Sequence, residues 1–464
     1  MPKNKNFAAV VLAAGLGTRM KSNLPKVMHY LGDMSLAERA IRKVAALGPE
    51  KIIVITGHKA ELVEAELTQK LGPAILGKTV FIRQKLLKGS GRAVQEAMPQ
   101  IRRYENVMLL CGDAPLFRVE TVRKMFGYYC KRSPDCLVMT AELPEPGSYG
   151  RIKRNHAGDV AAIVEASDAD AWEKAIKEVN SGTYFFLVKS LEKAVRTLKK
   201  KGSKGEFYLT DTVENIIAAG GRAAAFKLAD PTEMTGINSR ADLAAAYAML
   251  NRRKAAELMA AGVTIVDPFN TYIDESVVIG RDTVVYPGVF IKGATVIGNN
   301  CKIGPCGVIE DCVIDDGAVI KYSCALEKSR VRAGAIVGPF ARLRPLSDIG
   351  PCAEVGNFAE VKKSRIGRGS KMHHHSYIGD TEMGEKVNIG AGTITCNYDG
   401  VNKNRTVIGA GAFIGSNTNL VAPVAIGAGA YTAAGSTITE DVPGGALAIA
   451  RARQVVKQLK KRTK

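Results

Sequence analysis

The sequence predicts two domains in series. An α/β domain with a largely parallel sheet fills residues 1–238, a linker helix spans 239–262, and a solenoid of short strands fills 263–450, followed by a basic tail at 451–464. Three observations predict this. The first is a period of six in the C-terminal half, with an aliphatic residue at Ile273, Ile279, Val285, Ile291, Ile297, Ile303 and Ile309. The frame slips by one at Ile314 and resumes through Ile320 and Leu326. It runs on at Val331, Val337, Leu343, Ile349, Val355 and Val361, then at Ile366, Met372 and Ile378, and returns after a break at Ile408, Ile414, Leu420 and Ile426. A helix repeats near 3.6 residues and a strand near 2. A period of six fits a coil in which each hexapeptide makes one flat side and turns its aliphatic residue inward. The second observation is the alternation of apolar strand-like runs with helical patterns in the N-terminal half. The third is the run 239–261, helical in composition with no internal Gly or Pro and stopped by Gly262.

The N-terminal elements follow in order. FAAVVLAAG reads as a buried strand leading into a Gly-rich loop, KIIVITG as a second strand, and VMLLCGD as a third that ends on a carboxylate. CLVMTAEL and SGTYFFLV are further strands, while AVQEAMPQIRR and DTVENIIAAG are helices. Strands interleaved with helices predict a sheet covered by helices. Ligands on such sheets bind at the carboxyl ends of strands, where Gly15 and Asp113 fall. In the solenoid, the break from Asn397 to Asn404 reads as a loop projecting from the coil.

Composition narrows the function. No apolar stretch is long enough to span a bilayer, and the first residues lead into a Gly-rich loop rather than a cleavage site. A cytoplasmic protein is expected. The nine cysteines include no CxxC pair. Those in the repeat are expected to pack at solenoid corners, with Cys306, Cys312 and Cys352 at the fourth hexapeptide position and Cys301 and Cys324 at the fifth. A net charge of +20 suits anionic small substrates. No nucleic-acid motif and no basic–aromatic interleaving accompany it. The basic tail reads as a frayed, solvated end.

Two constellations carry chemistry. The first is Leu12-Ala-Ala14-Gly15-Leu-Gly17-Thr-Arg19-Met, followed by Leu24-Pro-Lys26. Its glycines let backbone N–H groups approach phosphates, and Arg19 and Lys26 supply charge for a triphosphate. It lacks the GxxxxGK[ST] of a Walker A loop and the third Gly of a dinucleotide fingerprint. Asp113, at the end of the apolar strand 107–111, is a natural Mg²⁺ ligand beside such a loop. The second constellation is His373-His374-His375, preceded by Arg342-Leu-Arg344-Pro and Glu360-Val-Lys362-Lys363 and followed by Tyr377 and Asn388. Neutral His can take a proton from an attacking amine near neutral pH. Adjacent histidines on a strand point in different directions, which weighs against one metal ion held by all three.

On these motifs the N-terminal half resembles the sugar-phosphate nucleotidyltransferases. With the hexapeptide half attached, nearly the whole chain resembles the bifunctional bacterial N-acetylglucosamine-1-phosphate uridyltransferase/glucosamine-1-phosphate acetyltransferase family. The resemblance implies a left-handed parallel β-helix with three hexapeptides per coil, homotrimeric assembly, and synthesis of UDP-N-acetylglucosamine, a cell-wall precursor, from glucosamine-1-phosphate, acetyl-CoA and UTP with Mg²⁺. It implies nucleotide contacts at Ala14, Gly15, Arg19, Lys26, Gln84, Gly89 and Ser90, and Mg²⁺ at Asp113 and Asn238. Gly150, Glu165, Asn180 and Thr210 would hold the acetylated sugar phosphate. In the solenoid, aligning Lys371 through Tyr377 with Lys-x-x-His-x-x-Tyr makes His374 the general base, with His373 and His375 adjoining. Arg344, Lys362, Tyr377 and Asn388 would hold glucosamine-1-phosphate, and Ala391, Asn397, Tyr398, Ser416, Ala434 and Arg451 acetyl-CoA.

Departures from the family pattern are Lys88-Gly-Ser-Gly-Arg92-Ala for Leu-Gly-Thr-Gly-His-Ala, Cys111-Gly-Asp113 for Tyr-Gly-Asp, and Leu16 for a loop lysine. His373 and His375 replace the usual small and apolar residues. Two rival readings are a nucleotidyltransferase for another sugar or base with a regulatory solenoid, and a non-catalytic basic scaffold. The full His-Tyr-Asn set weighs against the first and the retained Arg19, Lys26, Asp113 and Asn238 against the second.

Overall fold

A computed structural model describes residues 6–201 and 205–458. The chain divides into two compact units, Met1–Tyr247 and Ala248–Lys464, with the division inside one helix, Arg240–Ala260.

The first unit is built on a sheet whose path runs through seven strands: β1 (Phe7–Ala13), β2 (Lys51–Thr56), β3 (Thr79–Arg83), β4 (Asn106–Cys111), β5 (Cys136–Glu142), β6 (Glu178–Leu187) and β7 (Ala223–Lys227), in the order β7-β5-β6-β4-β1-β2-β3. Alternate residues of β1 enter different cores. Ala9, Val11 and Ala13 pack in one, while Ala8 and Val10 pack in the other. A strand buried on both faces has to be apolar throughout, which is why the sequence reads as a continuous run there. The sheet is mostly parallel, as expected, but β6 runs antiparallel to both β4 and β5. Its register with β5 shifts between Asn180 and Tyr184, where Gly182 takes φ +76°.

The second unit is a coil of parallel strands stacked into three sheets, each joining every third strand. The inward column of one sheet reads Val285, Ile303, Ile320, Val337, Val355, Met372, Ile389 and Ile414 in successive register. The aliphatic positions picked out by the period are buried in one core. The slip at Ile314 leaves the ladder intact, because Ile297 still pairs with Ile314 across a coil one residue shorter. That slip regroups the cysteines. Cys312 joins Cys301 and Cys324 inside the core, whereas Cys306 and Cys352 are exposed at left-handed corners and do not pack as expected. Among the described residues, no cysteine is joined in a disulfide. The projecting loop is a small hairpin closed by a Tyr398–Lys403 bridge and the Asn404 N–H to Asn397 carbonyl bond, 2.8 Å.

Candidate functional site

In the first unit the loop after β1 and the segment after β4 converge. Gly17 is left-handed, and a Cβ there would come within 2.6 Å of Lys26 Cβ, so only Gly lets the two loop limbs close. That closure brings Lys26 onto the sheet edge. Its ammonium donates to Asp113 Oδ2, and to Asn238 Oδ1 at 3.0 Å. Arg19 Nη2 donates to the same Asn238 oxygen at 2.8 Å. Asn238 reaches this place because the Ile237 N–H bonds the Asp113 carbonyl at 2.8 Å and because Asp242 Oδ2 accepts the Asn238 N–H at 2.9 Å. Four residues read from distant stretches of sequence thus form one cluster. Ala14 is buried and Gly15 exposed beside it, with open space where a side chain would project from Gly15.

A second wall is the 84–90 loop. Gln84 is buried and its Nε2 donates to the carbonyls of Leu86 at 2.8 Å and Gly89 at 3.3 Å. Gly89 at φ +93° lies so near the Phe207 carbonyl that a Cβ would sit 2.5 Å from it. Ser90 Oγ accepts the Leu209 N–H at 3.2 Å. Arg92 turns along its own helix instead, with Nε donating to Glu96 Oε1 at 2.9 Å.

Gly150, Glu165, Asn180 and Thr210 also come together. The Asn180 N–H donates to the Gly150 carbonyl at 2.9 Å, and Thr210 Oγ1 donates to Glu165 Oε1 at 2.8 Å. Burial raises the pKa of the Glu165 carboxyl above its ordinary value, opposed by the Thr210 hydroxyl and aided by Asp211 and Asp168. Cys111 lies behind the bulge of β6, with Sγ 4.0 Å from the Gly182 carbonyl. Burial, with Asp113 nearby, pushes its thiol up to about 12, so it stays neutral.

In the second unit the three histidines diverge. His373 Nε2 lies 2.9 Å from Glu354 Oε2. His374 Nδ1 lies 3.2 Å from Asn357 Oδ1, one coil below. His375 sits at a left-handed corner, φ +34°, with its backbone N–H on the Asn357 carbonyl. Above this corner the backbone ladder continues through Gly392 N–H to His375 O, Asn417 N–H to Ala391 O, and Gly435 N–H to Ser416 O. Ala391, Ser416 and Ala434 therefore stack in one column over His374. Arg451 Nη1 donates to the Ala434 carbonyl at 3.0 Å.

The adjoining sheet carries the cations. Arg344 and Lys362 follow Leu343 and Val361, which pair in register. Arg344 Nη1 donates to Glu360 Oε1 at 2.9 Å. The Lys403 ammonium, with Arg344 adding to it, lowers the pKa of Lys362. The Tyr377 hydroxyl and the Asn397 amide both lie over Gly379, within 2.4 and 2.8 Å of where a Cβ would stand.

Three expected residues fall elsewhere within the chain. Asn388 pairs with Lys371, at the opposite end of the His374 strand. Asn397 donates to Asp380 beside the cations rather than joining the Ala391–Ser416–Ala434 column. The Tyr398 hydroxyl folds back onto the Gly400 carbonyl at 2.6 Å. Asn357, Glu96, Asp380 and Lys403 are absent from the sequence reading. A stacking offset of one coil would have found Asn357, since residue 374 pairs with residue 357. Of the tail, residues 459–464 lie outside the described residues. Among the described residues, no group of three or more His, Cys, Asp or Glu could hold a metal ion, and no helix is long and apolar enough to cross a membrane.

A MobA-like NTP transferase domain matches residues 9–207, and a bacterial transferase hexapeptide (six repeats) matches residues 405–440. Proteins named "Bifunctional protein GlmU" align along nearly their whole length. The Geobacillus sp. (strain WCH70) protein is 46% identical over 451 residues, 97% of this chain and 96% of that one. The Clostridioides difficile protein is 43% identical over 98% of this chain and 97% of its own, and the Koribacter versatilis protein 42% over 99% and 97%.

Proposed function

The chain belongs to the family of bifunctional GlmU proteins, and on that premise we propose how its residues share two reactions. The enzyme transfers an acetyl group from acetyl-CoA to glucosamine-1-phosphate on the solenoid, a left-handed β-helix. It then transfers a uridylyl group from UTP to the acetylated sugar phosphate at the α/β sheet edge, giving UDP-N-acetylglucosamine for cell-wall synthesis. One observation carries this reading: an imidazole oriented by an amide, with a cationic pair on the adjoining sheet, in one unit, and a phosphate loop closed on a carboxylate in the other, in a single chain. Residues 1–238 and 263–450 serve as the two catalytic domains, joined by the 239–262 helix.

For acetyl transfer, His374 is the base. With Asn357 Oδ1 facing it, the neutral ring carries its hydrogen on Nδ1 and its lone pair on Nε2. Nε2 takes a proton as the amine nitrogen forms its bond to the thioester carbonyl carbon. The carbon–sulfur bond breaks and coenzyme A leaves as the thiol. Arg344, Lys362 and Tyr377 hold the sugar phosphate. Ala391, Ser416, Ala434 and Arg451 line the acetyl-CoA path, and Asn397 and Tyr398 flank it. His373 is committed to Glu354, which leaves His374 the better placed of the pair.

For uridylyl transfer, Ala14, Gly15, Gln84, Gly89 and Ser90 hold the nucleoside, and Arg19 and Lys26 the phosphates. Gly150, Glu165, Asn180 and Thr210 orient the second substrate. Its phosphate oxygen bonds to the α-phosphorus, and the bond to the β-phosphate breaks, releasing pyrophosphate. Asp113 and Asn238 fit Mg²⁺: two hard oxygens already converge on one cation, the Lys26 ammonium. Mg²⁺ would neutralise charge on the phosphates.

Self-association as a homotrimer is supported by the exposed aromatic row Tyr322, Phe340 and Phe358, with ring centroids 5.2 Å apart edge to face and 5.3 Å apart stacked, beside the His374 column. Asn388, far from His374 in its own chain, would then serve a neighbouring subunit's site. UTP and acetyl-CoA as substrates suit a cytoplasmic enzyme. The test is a mass spectrum of protein incubated with glucosamine-1-phosphate, acetyl-CoA, UTP and Mg²⁺. UDP-N-acetylglucosamine is expected. Acetylated sugar phosphate alone would refute the uridylyl assignment, and neither product would refute both.

A further inference from the structure

Arg92 stands where the family usually has His, and the geometry gives this departure a task. The 84–90 loop is the nucleotide wall of the sheet site, and its internal bonds are those of the Gln84 amide and the Lys88 N–H to the Leu86 carbonyl at 2.8 Å, none of which uses the Lys85 N–H. The residue that follows Gln84 is held from outside the loop. The Lys85 N–H donates to Glu96 Oε2 at 2.7 Å. Glu96 belongs to the helix Ser90–Ile101, which begins where the loop ends. A single carboxylate therefore ties the loop entry to the helix that receives its exit. Its other oxygen, Oε1, accepts from Arg92 Nε at 2.9 Å, one turn earlier on the same helix. The Glu96 side chain is only 13% exposed, so its charge draws on Arg92 and the amide rather than on water.

We infer that Glu96 is a positioning residue for the nucleotide, holding the 84–90 loop in its binding shape, and that Arg92 orients the Glu96 carboxylate for this task. The inference rests on the proposed uridylyl transfer. Neither side chain is assigned a contact with substrate. A loop anchored by one charge-assisted bond at its entry would present Gln84 and Gly89 to the base in a fixed arrangement. Without that bond the loop keeps the Phe207 N–H to Lys88 carbonyl bond at its exit, but Lys85 at its entry loses its anchor, and the nucleotide must order that end on binding.

The test uses the full-length protein with Glu96→Ala, Glu96→Gln, Arg92→Ala and Arg92→His. Uridylyl transfer is measured with UTP varied at saturating sugar phosphate and Mg²⁺, and acetyl transfer is measured on the same preparations as a check of folding. Glu96→Ala is expected to raise KM for UTP about tenfold, with kcat changed less than about threefold and acetyl transfer unchanged. Glu96→Gln, which keeps an acceptor for the Lys85 N–H, should recover most of the loss, and Arg92→Ala should raise KM about threefold. Amide hydrogen exchange at Lys85 in the nucleotide-free protein should quicken by about tenfold in Glu96→Ala. An unchanged KM for UTP, an unchanged Lys85 exchange rate, or a kcat loss without a KM rise would overturn the inference. A wild type that exchanges as expected but turns over no UTP would overturn the functional reading instead, and the nucleotide role with it.

Discussion

His374 Nδ1 lies 3.2 Å from Asn357 Oδ1, across one coil of the solenoid. An amide oxygen only accepts, so the contact selects the tautomer that leaves Nε2 free to take a proton. His374→Ala should lower acetyl transfer at least about 100-fold while uridylyl transfer stays unchanged. Asn357→Ala should lower kcat for acetyl transfer by about tenfold, because the ring loses its orienting partner and not its base. His373→Ala, which removes a ring bound to Glu354, should leave acetyl transfer within about threefold of wild type. Separate assays of the two reactions on one preparation check all three.

Gly356 tests how tightly the coil sets His374. A Cβ at Gly356 would come within 2.1 Å of the His373 carbonyl, which is backbone and cannot rotate away. Gly356→Ala should push the His374 strand outward and abolish most acetyl transfer, with uridylyl transfer retained. Equal acetyl transfer in the variant would show that the strand yields without consequence.

Lys26 bridges Asp113 and Asn238. Lys26→Met should lower kcat for uridylyl transfer by about 100-fold, since a cation on the departing phosphates is lost. Asp113→Asn should shift the Mg²⁺ dependence to higher concentration, because a neutral amide replaces the charged ligand. A Mg²⁺ titration of initial rates distinguishes the two.

Lys362 titrates below the ordinary lysine range, chiefly through Lys403 and then Arg344. A lowered lysine pKa means that its charge is lost earlier as pH rises, and phosphate attraction goes with it. KM for glucosamine-1-phosphate should therefore begin to climb at a lower pH than an ordinary lysine would give. Lys403→Met removes the repulsion, so this alkaline limb should move to higher pH, even as KM at neutral pH rises from the loss of a cation. A pH profile of KM for both proteins reads the shift.

Ile349 is fully buried in the solenoid core and paired with Val331 and Ile366. Ile349→Ala should cost about 2–5 kcal/mol, seen by calorimetry as a lowered melting transition.

Much of this molecule is legible in one dimension. The aliphatic period located the inward positions of the coil. A strand buried on both faces shows as an unbroken apolar run, and β1 did. The reversal of β6 was not legible, because an antiparallel strand between two others is as apolar as a parallel one. Cys312 was given the wrong hexapeptide position for a different reason: a six-residue frame carried past the slip groups it with Cys306 and Cys352, when it falls two residues before Ile314 as Cys301 falls before Ile303 and Cys324 before Leu326, and is buried like them.

The sequence by itself determined which residues are chemically able to act: a Gly-rich loop with Arg19 and Lys26, a carboxylate at a strand end, a histidine run among cations. The tertiary structure alone decided which of them meet. Asn238 reaches Asp113 only through the Ile237 backbone bond beside β4, and Asn357 reaches His374 only because the coil there closes after 17 residues. It also turned His373 toward Glu354 and set Asn388 at the far end of its strand. The physical reason is direction. Residue type and spacing specify what a side chain can do and which face it shares, but the partner it points at depends on the register of strands that only folding stacks together.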